Sequence, residues 1–158
     1  MTFLEELEGT VYYKSKMLSA FIDNYVIESS IKENIGIKNF TYERWVLLGM
    51  VIDEPGCSIG TYADKLNKNI STLSNTFGYF EKNGLITKKP SRTVRGAYEV
   101  YATKKAKEAV DIVANIHKTG MDYVHSKFDD TELETLNTLL DKFTKHVHEI
   151  GGILVDEK

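Results

Sequence analysis

The chain has 158 residues and a formal net charge of −3, with 42% hydrophobic and 27% charged residues, which predicts one globular domain with a buried core. It contains no apolar run of about 18 residues, so we expect no membrane span, and its acidic start is not expected to act as a signal peptide. Cys57 is the single cysteine, which leaves no internal disulfide and is typical of a cytoplasmic protein.

The first predicted element is a long helix from residue 3 to about residue 29. Apolar residues recur along it at helical spacing and form one broad stripe: Leu4, Leu7, Val11, Leu18, Phe21, Ile22 and Tyr25. One helix cannot bury such a stripe alone, so we expect it to pack on other helices or on a second chain. Residues 29–40 contain Gly and Asn and are predicted to form a connection.

Two shorter helices are predicted next. Thr41 has the side chain of an N-cap and precedes a helix over residues 42–53. Ser58 caps in the same way a helix over residues 59–66. Residues 67–69 are then too polar and too few for another element, and we expect them to form the turn of a helix-turn-helix.

A third short helix, over residues 70–82, has two different faces. Its apolar residues recur every three or four positions and are expected to face the core: Ile70, Leu73, Phe77 and Phe80. The residues predicted to face outward are mostly small or polar: Ser71, Thr72, Asn75, Gly78, Tyr79 and Lys82. Gly84 accepts the left-handed conformation that often ends a helix. Taken alone, the pattern also describes an ordinary amphipathic helix with a solvated face.

A basic β-hairpin is predicted directly after this helix. Its strands are residues 85–89 and residues 97–102. The loop between them, residues 91–96, contains two of the chain's three arginines, Arg92 and Arg95. A helix followed by a cationic hairpin is the arrangement of a winged helix-turn-helix. In that motif the helix enters the DNA major groove, and the hairpin contacts the backbone or the minor groove.

The distribution of charge favours the same interpretation. Residues 65–107 hold ten Lys and Arg against two acids, a balance of +8, whereas the rest of the chain has a balance of −11. A cationic region of this kind is the electrostatic footprint of a protein that binds double-stranded DNA. The residues predicted to contact DNA are Ser71, Thr72, Asn75, Tyr79, Lys82, Lys88, Lys89, Arg92 and Arg95. The alternative is a winged helix that binds another protein and leaves duplex DNA unbound.

Two more helices are predicted after the hairpin. Thr103 caps the first, which runs to about residue 127, and Asp129 forms a capping box with Glu132 at the start of the last. The last helix is expected to end near residue 150, before two consecutive glycines. Its predicted inward residues are Leu133, Leu136, Leu140, Phe143 and Val147.

The predicted fold is therefore mainly α with a small β-hairpin wing. A winged helix-turn-helix over residues 41–103 is flanked by helices in residues 1–40 and 104–158, which have no core of their own. We expect these flanking helices to form the dimerisation region of a two-fold homodimer. Such a dimer would place its two recognition helices one DNA turn apart.

The sequence resembles the MarR family of bacterial transcription regulators over nearly its whole length. The resemblance is carried by residues 41–45, Pro55-Gly56, Ala63, Leu66, Leu73, Phe80, Asn83-Gly84-Leu85-Ile86 and Thr103. It implies a homodimeric repressor on a pseudo-palindromic operator, released by a small ligand, a metal or an oxidant. The wing in this family often carries an Asp followed closely by Arg. Here Val94 occupies the place of that Asp, with Arg95 nearby.

The resemblance also implies an effector pocket between the dimer helices and the winged helix. Tyr12, Tyr13 and Trp45 are the candidates to line it, although aromatic residues at helical spacing are more often part of a core.

Sensing and catalytic chemistry have weaker support. Cys57 precedes a helix N-terminus, which favours the thiolate, but no basic residue adjoins it, so a structural thiol is preferred to a redox sensor. The four histidines lack the spacing of a metal site, and no metal or other cofactor is expected: His117, His125, His146 and His148. The sequence has no phosphate-binding loop and no nucleophile elbow, so an enzyme is not expected.

Overall fold

Helices make up most of the part of the chain that the structure describes, and the two strands found there form a single hairpin, which confirms the predicted fold class. The computed structural model describes residues 8–92 and 94–156. In chain order the elements are α1 (Val11–Phe21), a π-helical segment (Ile22–Glu28), α2 (Ser29–Ile35), α3 (Tyr42–Asp53), α4 (Ile59–Leu66), α5 (Ile70–Lys82), β1 (Ile86–Pro90), β2 (Tyr98–Ala102), α6 (Lys104–His125) and α7 (Asp130–Asp156).

One hydrophobic core joins the winged helix to the helices on either side of it. The largest fully buried side chains are Tyr62, Phe40, Phe77, Phe80, Ile31, Ile37, Leu48, Leu85, Val51, Val100 and Val113. The core includes Ile27 and Ile31 from before the winged helix, and Ala109 and Val113 from α6. The chain forms two compact units that meet in sequence at Ile116, within α6. The division of the chain into residues 1–40, 41–103 and 104–158 stays a prediction.

Four predicted N-caps are confirmed. Thr41, Ser58 and Thr103 each accept, through the side-chain oxygen, a hydrogen bond from the backbone N–H three residues on, at 3.4, 3.1 and 3.2 Å. Asp129 accepts from Glu132 N at 2.9 Å, and its own N–H donates to the Glu132 carboxylate at 3.0 Å. These bonds satisfy backbone donors that helix starts leave without a partner.

The hairpin is held on one side by the turn that precedes α4. β1 and β2 pair antiparallel, with Lys88 opposite Val100. Val100 also donates to Cys57 O at 3.0 Å, and Val100 O accepts from Gly56 N at 2.9 Å. Gly56 has a φ of +87°, and a Cβ on it would lie 3.1 Å from the Tyr101 hydroxyl, so this position requires glycine.

The predicted connection over residues 29–40 was wrong in its first half. The helix continues to Ile35 and ends at Gly36, which has a φ of +68°. The physical reason is packing, because Ile31 is fully buried and its burial offsets the cost of ordering the added residues. Leu4 and Leu7, the first members of the predicted apolar stripe, lie outside the described residues.

Two other predictions were also wrong. The glycines at 151 and 152 do not end the last helix, since α7 runs to Asp156; glycine costs about 1 kcal/mol in a helix interior and does not forbid it. Ile70 does not face the core and is 54% exposed. It is the first residue of α5, and the buried row of that helix begins one turn later, at Leu73.

The π-helical segment aims two carboxylates at the start of the winged helix. Asp23 accepts from Tyr42 N at 2.6 Å, and Glu28 accepts from Asn39 N at 3.0 Å. In a π-helix, whose hydrogen bonds join i to i+5, residues five apart lie on the same side of the helix. In an α-helix, which turns about 100° per residue, they would point in clearly different directions. Because of the wider turn, one helix can accept hydrogen bonds from two backbone N–H groups of the following segment, those of Asn39 and Tyr42.

Each unit exposes large apolar side chains from its helices. In the first unit, six of them lie before the winged helix: Val11, Tyr12, Met17, Leu18, Phe21 and Tyr25. In the second unit they lie on the end of α6, on α7 and, for Phe128, in the loop between them: Met121, Tyr123, Val124, Phe128, Leu136, Leu139, Leu140, Val147 and Ile150. Such a concentration on adjacent helical turns is more than a monomeric surface usually carries.

Candidate nucleic-acid interface

The position of α5 is fixed by aromatic packing on its inner side. The Tyr62 ring of α4 stacks on Phe77 with centroids 5.5 Å apart, and Phe77 meets Phe80 edge-on at 5.8 Å. All three rings are fully buried. The connecting turn uses Asn67 in the left-handed conformation, with φ of +48°. These contacts hold α4 and α5 as the two helices of a helix-turn-helix.

The outer side of α5 is polar and open. Ser71, Thr72, Asn75 and Lys82 are exposed, as is Gly78, where a Cβ would meet no atom within 4 Å. Ser71 donates to the Asn69 side-chain oxygen at 3.3 Å, which is a contact within the first turn. The exposed row presents hydroxyl and amide groups of the kind that read base edges in a major groove.

Tyr79 is the exception among the residues predicted to face outward. Its ring is half-buried against the core, and its hydroxyl donates to Lys38 O at 2.8 Å. The Arg44 guanidinium lies 4.0 Å above the ring centroid. Burial raises the pKa of the Tyr79 phenol, and the Arg44 charge acts in the opposite direction. Tyr79 therefore ties α5 to the loop before α3.

Arg44 is a functional candidate that sequence reasoning missed. It is the third arginine of the chain, and besides covering Tyr79 it donates to Asn39 O. It also lines a cavity of about 250 Å³ beside the exposed face of α5, formed by Thr41, Glu43, Arg44, Leu47, Leu66, Lys68, Thr72, Leu73 and Thr76. Nothing in the local sequence indicates this placement, because Arg44 is brought to Tyr79 only by the packing of α3 against α5.

The cations of the hairpin differ in their exposure and in their contacts with other side chains. Lys88 forms an ion pair with Glu81 of α5 at 2.7 Å, and its side chain is only 25% exposed. Lys89 lies over the Tyr101 ring, 4.7 Å from the centroid. Arg92 and Arg95 are exposed at the tip of the hairpin. The wing thus offers two exposed arginines, one lysine over an aromatic ring and one lysine that is paired with an acid.

The tip of the hairpin is closed by backbone and side-chain hydrogen bonds. Ser91 N donates to Ala97 O at 2.8 Å, and Val94 N donates to Ser91 Oγ at 3.2 Å. The Val94 side chain is exposed. Gly96 has a φ of +81°, which suits glycine in a tight turn.

An acid stands directly behind this tip. Glu99 of β2 accepts a hydrogen bond from the Tyr101 hydroxyl at 2.9 Å. This hydrogen bond, together with those from the Ser91 side chain and the Arg92 backbone, lowers the pKa of the Glu99 carboxyl. The same hydrogen bond raises the pKa of the Tyr101 phenol. Glu99 was not among the predicted site residues, although its place opposite Lys89 in the hairpin could have indicated it.

The three aromatic residues proposed for an effector pocket lie in different surroundings. Tyr12 is exposed on α1, and Tyr13 is half-buried. Trp45 of α3 is half-buried and donates from Nε1 to Val110 O at 3.2 Å. Its ring also meets Tyr42 edge-on, with centroids 5.3 Å apart. Trp45 thus joins α3 to α6, and its role in a pocket stays a prediction.

Cys57 and the histidines lie in separate surroundings. Cys57 is half-buried beside Tyr62. Burial of the Tyr62 phenol, and to a smaller extent its electrostatic interaction with Cys57, raises the pKa of Tyr62 to about 12. His146 lies 2.8 Å from the Glu149 carboxylate. Within residues 8–92 and 94–156, no three His, Cys, Asp or Glu side chains are grouped to hold a metal ion. In the same part of the chain, no helix has the length and apolarity to cross a membrane.

Solved structures share this fold over nearly the whole chain. A MarR-family transcription regulator superposes with a TM-score of 0.72 at 14% identity, over 94% of both chains. A MarR protein from Peptoclostridium difficile gives 0.70 at 18% identity, over 93% of both chains. Staphylococcus aureus MepR in a DNA complex gives 0.68 at 20% identity, over 89% of this chain and 98% of MepR. The chain therefore has the winged-helix fold of MarR-family regulators.

No protein-family model and no curated protein sequence matches the chain. The similarity thus lies in the order and packing of the elements rather than in shared residues.

The Tyr79 hydroxyl gives a direct test of its place in the structure. Tyr79→Phe removes the hydrogen bond to Lys38 O and should lower the free energy of unfolding by about 1 kcal/mol, measured by urea denaturation at constant protein concentration. Tyr98→Phe, on an exposed ring of β2, is the matched control and should leave stability unchanged. Equal stability of the two variants would contradict the described contact.

Proposed function

We propose that the protein is a DNA-binding transcriptional regulator of the MarR type. The observation that carries the proposal is the exposed polar face of α5 beside a hairpin tip with two exposed arginines. A helix with small polar groups can enter the major groove, and a cationic hairpin can follow the backbone. The concentration of positive charge between residues 65 and 107 in an otherwise acidic chain supports the same function.

The two elements have separate tasks in this proposal. Asn75, Ser71 and Thr72 read base edges, because they lie in the exposed row near the N-terminal half of α5. The backbone contacts come from exposed cations: Lys82, Lys89, Arg92 and Arg95. Lys88 adds less, since Glu81 already neutralises it. Tyr79 acts by positioning α5, because its hydroxyl is used by Lys38.

The active form in this proposal is a two-fold homodimer. The exposed apolar side chains of α1, of the end of α6 and of α7 support it, because one chain leaves them in water. A two-fold axis would set the recognition helices about 34–36 Å apart, one turn of DNA. The operator would then be pseudo-palindromic, matching the symmetry of the protein.

The proposed biological role is repression in the cytoplasm, with release by a small effector. A dimer bound to an operator blocks access to the DNA it covers, and an effector that prefers a different spacing of the two recognition helices would weaken binding. Tyr12, Tyr13 and Trp45 remain the candidates for effector contacts.

The dimer can be tested by sedimentation. The wild-type protein should have twice the mass of one chain at micromolar concentration. Replacing Leu18 and Phe21 together by Glu should shift it toward monomer, because two charges would be buried in the interface. Lys16→Glu, on the exposed surface of the same helix, is the control for added negative charge. A well-folded wild-type monomer would exclude the proposed assembly.

The role of the wing can be tested through the salt dependence of DNA binding. Replacing Arg92 and Arg95 together by Ala should weaken binding to operator and random duplexes alike, because phosphate contacts do not read sequence. The slope of log K against log salt should fall by about one unit for each arginine–phosphate pair that the substitution removes. Replacing Lys14 and Lys16 by Ala makes the same charge change on α1 and should leave the slope unchanged. An unchanged slope in the Arg92/Arg95 variant would remove the wing from the interface.

Sequence readout by α5 needs an operator, which can be selected from genomic fragments. Asn75→Ala should cost about 1–3 kcal/mol of binding free energy on that operator and much less on random DNA. Thermal stability should match wild type, because the Asn75 side chain is exposed. Equal losses on both DNAs would make Asn75 a backbone contact, and no loss on either would place it outside the interface.

A further inference from the structure

The cationic region over residues 65–107 contains two acids, Glu81 and Glu99, and they stand in different places. Glu81 lies on α5 and pairs with Lys88. Glu99 lies on β2, opposite Lys89 in the hairpin register and next to the wing tip. An acid so close to a surface for DNA should weaken binding by repelling phosphate. Its presence at the tip therefore calls for a physical reason.

The Glu99 carboxylate is surrounded by hydrogen-bond donors from the tip. The Tyr101 hydroxyl donates to Oε2 at 2.9 Å. The pKa of the Glu99 carboxyl is also lowered by hydrogen bonds from the Ser91 side chain and the Arg92 backbone and by the Arg92 charge, so these groups belong to the surroundings of the same carboxylate. Ser91 in turn accepts from Val94 N across the turn. One carboxylate thus holds the first residues of the tip on the second strand of the hairpin.

Two cations, Lys89 and Arg92, belong to the same group of contacting residues. Lys89 and Arg92 line one concavity together with Pro90, Glu99 and Tyr101. Tyr101 carries Lys89 over its ring, while its hydroxyl is held by Glu99. Arg92 is held through its backbone.

We propose that Glu99 is a positioning residue for DNA binding, which together with Tyr101 fixes Arg92 and Lys89 in the orientation that meets the phosphate backbone. The inference rests on the proposed DNA-binding function and adds the source of wing order to it. Holding Lys89 over the Tyr101 ring and the Arg92 backbone at the second strand before binding reduces the entropy that is lost when these residues meet DNA. The binding free energy gained from this order then exceeds the electrostatic repulsion between DNA phosphates and one carboxylate that already accepts hydrogen bonds from three donors.

The sign of one substitution separates this role from simple electrostatics. Glu99→Gln removes a negative charge, so Coulomb repulsion alone predicts tighter DNA binding. A positioning role predicts weaker binding by about 3- to 10-fold, the equivalent of one net hydrogen bond, and a salt slope lower by about one unit. Glu81→Gln is the matched control, because it also removes an acid but frees Lys88, and it should bind as tightly as wild type or more tightly.

The experiment measures binding of the full-length protein to a fluorescein-labelled duplex of mixed sequence across a salt series. Such a duplex suffices because phosphate contacts are independent of sequence. Tyr101→Phe keeps the ring beneath Lys89 and removes the hydroxyl donor, and it should weaken binding in the same direction. In an Arg92→Ala background, Glu99→Gln should weaken binding less than it does in the wild-type protein, since part of its effect passes through Arg92 and the rest through Tyr101 and Lys89.

The outcomes separate the role of Glu99 from DNA binding itself. Binding of Glu99→Gln that equals or exceeds wild type, with thermal stability unchanged, would overturn the role of Glu99 and leave the proposed function intact. If Glu99→Gln did not fold, Tyr101→Phe and its Arg92→Ala double variant would decide in its place. Wild-type protein that binds no duplex even at low salt would overturn the proposed function itself.

Discussion

Tyr62 and Phe77 stack with their ring centroids 5.5 Å apart, and this contact sets the angle between the two helices of the helix-turn-helix. Tyr62 is anchored at its other end, because its hydroxyl donates to Glu54 O at 2.7 Å. Phe77 also packs edge-on against Phe80, which lies just before the hairpin, so the position of Phe80 depends on the same stack. The direction of the exposed face of α5 and the origin of the wing therefore both depend on one buried aromatic cluster.

Local pattern was enough to predict most elements but not how far each one extends. The caps at Thr41, Ser58 and Thr103 were readable because a single side chain defines each helix start. The continuation of the first helix to Ile35 was not, because it depends on burial of Ile31 by residues far away in sequence. Ile70 shows the converse, since apolar spacing at a helix end does not establish burial.

The candidate site was predicted by charge and exposure but not by side-chain contacts. The arginines of the wing and the polar row of α5 were predicted from the sequence to face DNA; the structure shows that Arg92, Arg95 and Asn75 are exposed, and their contact with DNA stays a prediction. The sequence could not show that Tyr79 turns inward to Lys38, or that Arg44 covers its ring, because both contacts join segments distant in sequence. The contacts of two acids also join segments distant in sequence. Asp23 and Glu28 accept hydrogen bonds from backbone N–H groups, so their main effect is on the path of the chain rather than on its net charge.

The π-helical segment also determines how the two ends of the first helix are rotated relative to each other about the helix axis. Each residue inserted into or deleted from an α-helix rotates everything beyond it by about 100°. The segment Ile22–Glu28 lies between the exposed apolar residues of α1 and the buried Ile31 of α2. Its wider turn therefore fixes the azimuth of the apolar stripe relative to the core side of the same helix. Insertions or deletions in this stretch would misalign the two faces even with every other residue unchanged.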